Sequence, residues 1–444
     1  MKDTREIEAA LAELPLLDPH THLVGGRLGA RGMTDILLYH MVISDLHAAG
    51  CPSGHRLTQY PGWPSREEAD QRMTEAVPFL PHIQNTSCYW GVQIILRDLY
   101  DWDVPITEGN WRALDERIRE RADDCVWHRE ILDRVNICRT GTEIARRGHG
   151  EDDDRLQYAL EWGFFTRGQW GEFDTALYEL ERCWERQPES PSPIGPDGRV
   201  ATERTIVTVN DVHDAIAHYV QAIPYAQILA MATHISTDID FQTVTDAEME
   251  AALARRSQAG VKQRDIYASY VQEAFLTALE KHGHEIVYQF SLGAEPLPHE
   301  TASRLSQHTL VQLAEMIGRH PQLHFQCFLS SRHANQSLCT LARELPNFSL
   351  AGYWWHNFFP DVIRQIMAER LDMLPVNKQI GFFSDAYCVE WCYAKAIMVR
   401  KLLAQVLSDK IELGQYSREL AIATARDILF ESPQSLLGMV PRQF

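Results

Sequence analysis

The chain has 444 residues, 45% hydrophobic and 23% charged, an ordinary globular composition with enough apolar material for a large core. A total of 61 Asp and Glu against 42 Lys and Arg gives a net charge of −19, which speaks against a nucleic-acid or anionic-membrane partner. No apolar run approaches the ~18 residues of a membrane span, and the opening MKDTREIEAALAELPLLD lacks the apolar centre of a secretory signal. The nine cysteines are scattered, and none forms a Cys-x-x-Cys pair. They read as reduced thiols of a cytoplasmic protein.

Residues 4 to 14 carry Ile7, Ala10, Leu11 and Leu14 at helical spacing, which predicts a short helix. LLDPHTHL, residues 16 to 23, follows as a buried strand running into a polar end. Residues 30 to 130 are helix-rich and aromatic, with turns at Gly50-Cys51-Pro52 and at Tyr60-Pro61-Gly62-Trp63-Pro64. Within that block EGNWRALDERIRERADD, 108 to 124, is strongly amphipathic. The block reads as a helical insertion after the first strand.

From about residue 131 short apolar runs alternate with helical patterns. The runs are VNICRT (135 to 140), QILAMATHIS (227 to 236), HEIVYQFSLG (284 to 293), LHFQCFLSS (323 to 331), FSLAGYWWH (348 to 356) and QIGFFSDA (379 to 386). Between them lie helices such as DIYASYVQEAFLTALEKHG, HTLVQLAEMIGRH, NQSLCTLARELPN and DVIRQIMAERLDM. Residues 186 to 204, rich in Pro, Ser and Gly, form an exposed excursion. The rhythm predicts a parallel sheet and, at this number of units, an α/β (β/α)8 TIM barrel. The expected divisions are 1–29, the N-terminal helix and first strand; 30–130, the insertion; and 131–444, the rest of the barrel.

In such a barrel the chemistry sits where the strands end. Alternate residues of a strand share a face, so His20 and His22 can converge on one point. Two imidazoles there suit one divalent transition metal, zinc first with manganese or iron as alternatives, and Asp385 after the run IGFF is the natural carboxylate ligand. A surface turn is the plain alternative for His-Thr-His alone.

DPHTHL and the late strand-end Asp385 resemble the amidohydrolase superfamily of metal-dependent barrels. YQFSLGA (288 to 294), LARELPNFSLAGYWWHN (341 to 357) and IGFFSDA with its long following helix resemble the uronate (glucuronate) isomerase family. The resemblance implies that His20, His22 and Asp385 bind the metal. It places His40 at an active-site histidine and Trp354, Trp355 and Asn357 in the family's Trp-Trp-Phe-Asn run beside the substrate. It implies an aldose–ketose isomerase acting on a hexuronate or related sugar acid, with Asp385 as proton acceptor and His40 or Tyr387 assisting. A homo-oligomer and a small-molecule sugar-acid partner are expected with it.

Four positions depart from the family. Tyr387 stands where an Arg would grip the substrate carboxylate, Ser291 where a His is usual, Met41 where a Tyr follows the insertion's His, and Arg139-Thr140-Gly141-Thr142 where an acidic pair is usual. Arg139 and Arg332 offer replacement cations, and His234, ending AMATHIS, offers a further substrate or metal contact. Each also has a structural explanation, as a solvated arginine or a core histidine. A mononuclear metal-dependent hydrolase or lyase for a different small carboxylated substrate is the alternative function, and a non-catalytic barrel is a third.

Overall fold

The computed structural model describes residues 2–52, 65–148, 153–161, 173–185, 204–235, 242–256, 261–293 and 306–440. The turn at 60 to 64 and nearly all of the 186 to 204 excursion lie outside the described residues. Eight strands follow one another in chain order in a single sheet. They are β1 (Leu16–Asp18), β2 (Ile137–Glu143), β3 (Leu156–Glu161), β4 (Ile228–Ile235), β5 (Val287–Leu292), β6 (His324–Leu329), β7 (Phe348–Ala351) and β8 (Gln379–Ile380). Pairing is parallel from β1 to β2 and at each step from β3 to β7. The fold is α/β, of the TIM-barrel type.

By contacts the chain divides into two compact units. The first comprises Met1–Thr142, Arg146–Gln157 and Gly352–Gln434; the second comprises Glu143–Ala145, Tyr158–Ala351 and Ser435–Phe444.

In the second unit, β4 to β7 pack as expected of strands covered on both faces, which read as apolar runs rather than alternating ones. All six residues of β5 are buried. Alternation survives inside the run. Tyr288 and Phe290 share one face, while Gln289 sits on the other, in register with Gln326 and Ser349. The Gln289 amide donates to the Gln326 carbonyl oxygen at 2.8 Å, which gives part of this buried polar row its partners. The helices Val261–His282, Gln307–Arg319 and Asn335–Glu344 follow the predicted spacing closely.

In the first unit, β1 and β2 are followed by residues that carry the functional side chains. Gly141 of β2 lies against the Pro19 backbone; a Cβ there would sit 2.4 Å from the Pro19 carbonyl oxygen, so only glycine admits this approach. Helices span Met33–Leu37, His40–Ala48, Arg66–Ala76, Leu80–Ile83, Ser87–Tyr100, Trp111–Arg119 and Cys125–Arg134, and no strand lies among the described residues between 30 and 130. A 24-residue helix, Val389–Glu412, anchors them. Its buried Glu390 carboxylate accepts the Ala30 N–H at 3.0 Å and the Tyr100 hydroxyl at 2.7 Å. Its Trp391 indole donates to the Ile36 carbonyl at 3.2 Å. Trp391 also fills the space above Gly91, where a Cβ would fall 2.6 Å from its ring. No helix among the described residues is long and apolar enough to cross a membrane.

Glu390→Ala removes a buried acceptor and strands both donors, so we expect a loss of about 3 kcal/mol in denaturant unfolding. Glu390→Gln keeps one oxygen and is expected to cost clearly less. Equal midpoints for all three proteins would show that this carboxylate does not hold the helices together.

Candidate metal centre

Beyond Asp18 the chain stays extended, and its next backbone groups reach left and right in turn. The Thr21 N–H donates to the Gly141 carbonyl at 2.7 Å, and the His22 N–H donates to the Ala386 carbonyl at 2.8 Å. The Asp385 N–H donates to the His20 carbonyl at 2.9 Å. The continuations of β1 and β8 are therefore neighbours. In a regular parallel ladder the His22 N–H would meet the carbonyl of Asp385 itself. It meets that of Ala386 instead, a one-residue slip of the bulge kind.

The slip follows from the conformation of Asp385, whose φ is 55°. This left-handed region costs a residue with a Cβ roughly 1–2 kcal/mol and persists only where the surroundings dictate it. Here every peptide group from the Phe383 carbonyl to the Ala386 carbonyl has a partner. The Asn357 amide donates to the Phe383 carbonyl at 3.1 Å. The Ser384 N–H donates to Asp18 Oδ1 at 2.9 Å, and Lys395 Nζ donates to the Ser384 carbonyl. The Tyr39 hydroxyl donates to the Asp385 carbonyl, and the Ala386 N–H donates to Ser384 Oγ at 3.3 Å.

The consequence is the placement of one carboxylate. Asp385 Oδ1 lies 3.3 Å from His20 Nε2 and 3.1 Å from His22 Nε2. All three ligand atoms lie within 4.8 Å of one another. Two donors each ~2.1 Å from a tetrahedral ion sit roughly 3.4 Å apart, so the group fits a divalent cation. The donor set, two imidazoles and a carboxylate, suits zinc, manganese or iron alike. His20 and His22 are 19% and 16% exposed and Asp385 only 4%, so the group is open on its imidazole side.

The surroundings are charged and dry. Burial pushes the Asp18 carboxyl up to about 7, against the pull of its Ser384 hydrogen bonds and of Lys395. Burial draws the Lys395 ammonium down to about 8, although Asp385 and Asp18 favour its charge. Burial also holds the Tyr39 phenol well above its ordinary range, so the hydroxyl keeps its proton and serves as a donor.

The other expected residues divide. Tyr387 comes to the cluster: its ring stacks on His22 at 4.5 Å between centroids and 20° between planes. His40 opens the helix His40–Ala48, and its side chain lies outside the described residues. Trp354 and Trp355 pack edge to face at 5.7 Å, with Trp355 in a left-handed conformation at φ 52°. Asn357, expected beside the substrate, is 1% exposed and spends its amide on the Phe383 carbonyl. Arg139 does not join the cluster. β2 runs on to Glu143, so Arg139 sits within the strand, and its exposed guanidinium donates to the Asp154 carbonyl at 2.8 Å. Arg332 and His234 belong to the second unit. Arg332 is exposed in the turn Arg332–Ala334, and His234 Nδ1 pairs with Ser291 Oγ at 2.7 Å.

Four residues of the site escaped sequence reading. Asp18, Tyr39 and Lys395 hold backbone, and Arg146 lies beside the cluster. Arg146 Nη1 donates to the His22 carbonyl at 3.4 Å, and its guanidinium carbon is 5.5 Å from the centre of the Tyr387 ring. A lone Lys in the apolar run WCYAKAIMV was the available signal for Lys395.

No family model and no curated protein matches the chain. Solved structures do. A glucuronate isomerase from Caulobacter crescentus matches with TM-score 0.76 at 14% identity, over 100% of this chain and 95% of that one. A uronate isomerase from Thermotoga maritima matches with TM-score 0.74 at 12% identity, over 98% and 97%. A uronate isomerase from Bacillus halodurans matches with TM-score 0.67 at 16% identity, over 99% and 96%. Likeness at these identities establishes a shared fold.

We expect the purified protein to hold about one divalent ion per chain, and Asp385→Ala or His22→Ala to bind it more than roughly 100-fold more weakly. Elemental analysis with chelator competition measures both. Undiminished metal in either variant would remove that residue from the ligand set.

Proposed function

We propose that the chain is a metal-dependent aldose–ketose isomerase acting on a hexuronate or a related sugar acid. The observation that carries the reading is the convergence of His20 Nε2 and His22 Nε2 on one oxygen of Asp385, in a fold shared along its whole length with uronate isomerases. When bound, a divalent ion supplies a Lewis acid that stabilises negative charge developing on substrate oxygens.

The chain's own residues supply the rest. The imidazoles of His20 and His22 offer Nε2 as ligand atoms, and Asp385 Oδ1 lies beside both. The open imidazole side gives an extended sugar acid its approach. The reaction moves the C2 proton to C1 and a proton from the C2 hydroxyl to the C1 oxygen, so it needs a base that can return what it takes. Asp385 fills that role in this proposal, through its carboxylate. Tyr387, stacked on His22, donates a hydrogen bond to a substrate oxygen. Trp354 and Trp355 supply an apolar wall, and His40 is retained as an assisting base.

An acid substrate needs a cation. Arg146 adjoins Tyr387 and His22, and we assign it the substrate carboxylate in place of Arg139. Zinc is the proposed ion, a homo-oligomer the proposed assembly and the cytoplasm the proposed location.

Proton NMR in heavy water, with metal-loaded protein and D-glucuronate or D-galacturonate, tests the activity. Ketose signals and solvent deuterium in the sugar skeleton are expected. Release of a new amine, acid or alcohol from other carboxylated substrates, with both uronates unchanged, would favour the hydrolase or lyase reading instead. Arg146→Ala is expected to raise KM by roughly 10–100-fold, the loss of a charged hydrogen-bonded contact, with a smaller effect on kcat. An unchanged KM would release Arg146 from this role.

A further inference from the structure

We propose that Tyr39 and Lys395 are positioning residues of the metal centre, holding the Asp385 peptide in the left-handed conformation that aims its carboxylate at His20 and His22. The inference rests on the reading that Asp385 is a metal ligand. Neither residue supplies a ligand atom, and neither lies on a barrel strand. Tyr39 precedes the helix His40–Ala48, and Lys395 lies in the helix Val389–Glu412.

Their hydrogen bonds run in one direction. An ammonium only donates. Lys395 Nζ donates to the Ser384 carbonyl and, at 2.8 Å, to the Tyr39 hydroxyl oxygen. The Tyr39 hydroxyl is thereby left to donate its single proton onward, to the Asp385 carbonyl. The two carbonyls that flank the Asp385 N–H and Cα are thus held by a connected pair of side chains. The His22 N–H goes to the Ala386 carbonyl and not to that of Asp385, which Tyr39 engages.

The pair is itself immobilised. The Tyr39 ring stacks on Trp391 at 4.8 Å and 23°, and meets Phe358 at 5.8 Å. Lys395 Nζ lies 4.3 Å from the centre of the Phe358 ring and 4.9 Å from that of Tyr39, within cation–π range. Lys395 is 1% exposed and Tyr39 3%. A pinned donor fixes a peptide angle, and a peptide angle fixes where the attached carboxylate points. Outer groups that orient a ligand in this way govern metal affinity.

The test uses full-length protein, stripped of metal and reloaded with Co²⁺. Tyr39→Phe removes one hydroxyl and keeps the ring packing; Lys395→Met removes the ammonium. Three quantities are read: Co²⁺ affinity by chelator competition, the visible absorption of the Co²⁺ protein, and the thermal midpoint of the metal-free protein. For Tyr39→Phe we expect roughly 10–100-fold weaker Co²⁺ binding and a changed absorption envelope, beside the modest fall in the metal-free midpoint that loss of one buried hydrogen bond brings. A residue that merely supported the fold would lower the midpoint and leave the spectrum alone. A folded Tyr39→Phe protein with unchanged affinity and spectrum overturns the inference, and it decides the matter by itself if Lys395→Met does not fold. Wild-type protein that binds no Co²⁺ at all would overturn the metal reading and this inference together.

Discussion

Burial of the four peptide groups around Asp385 is the constraint on which the site depends. A backbone N–H or carbonyl shut away from water must find a partner or cost free energy comparable to a lost hydrogen bond. Regular strand pairing would supply those partners but would leave Asp385 in a β conformation. The left-handed turn at φ 55° gives up part of the ladder, and Asp18, Tyr39, Lys395, Asn357 and Ser384 take its place. What reads as a flexible strand end is over-determined at every peptide.

This arrangement ties the helices after β1 to the candidate site. Tyr39 comes from that segment, while the long helix after Asp385 brings Lys395 and, through Glu390 and Trp391, grips the same segment at Ala30, Ile36 and Tyr100. One helix thus clamps the loop from behind and fixes the element that clamps it from the side.

Much of the fold was legible because its strands and helices declare themselves by periodicity. The β5 and β6 runs and the helices after them match their predicted spans within a few residues. The His20, His22 and Asp385 grouping was legible for a similar reason, since two imidazoles at alternate positions share a face. β3 was passed over: LQYALE is short and half polar. Arg139 was misjudged because the apolar run stops at Thr140 while the backbone pairing continues to Glu143. Tyr39 and Lys395 were hidden for a different reason. Each bonds to a backbone carbonyl, which any residue type can offer, so no pairing of side chains marks the contact in the sequence.

The bond between His22 and Asp385 joins residues 363 apart in the chain. During synthesis the imidazoles emerge near the beginning and the carboxylate near the end, with Lys395 later still. A nascent chain can fold helices and adjacent strands as they appear, yet contacts of such long range form only after the intervening loop has been closed. The continuations of β1 and β8 can meet only after nearly the whole chain between them has been made. A metal ion that needs all three side chains would be held only after those two chain ends have met in register.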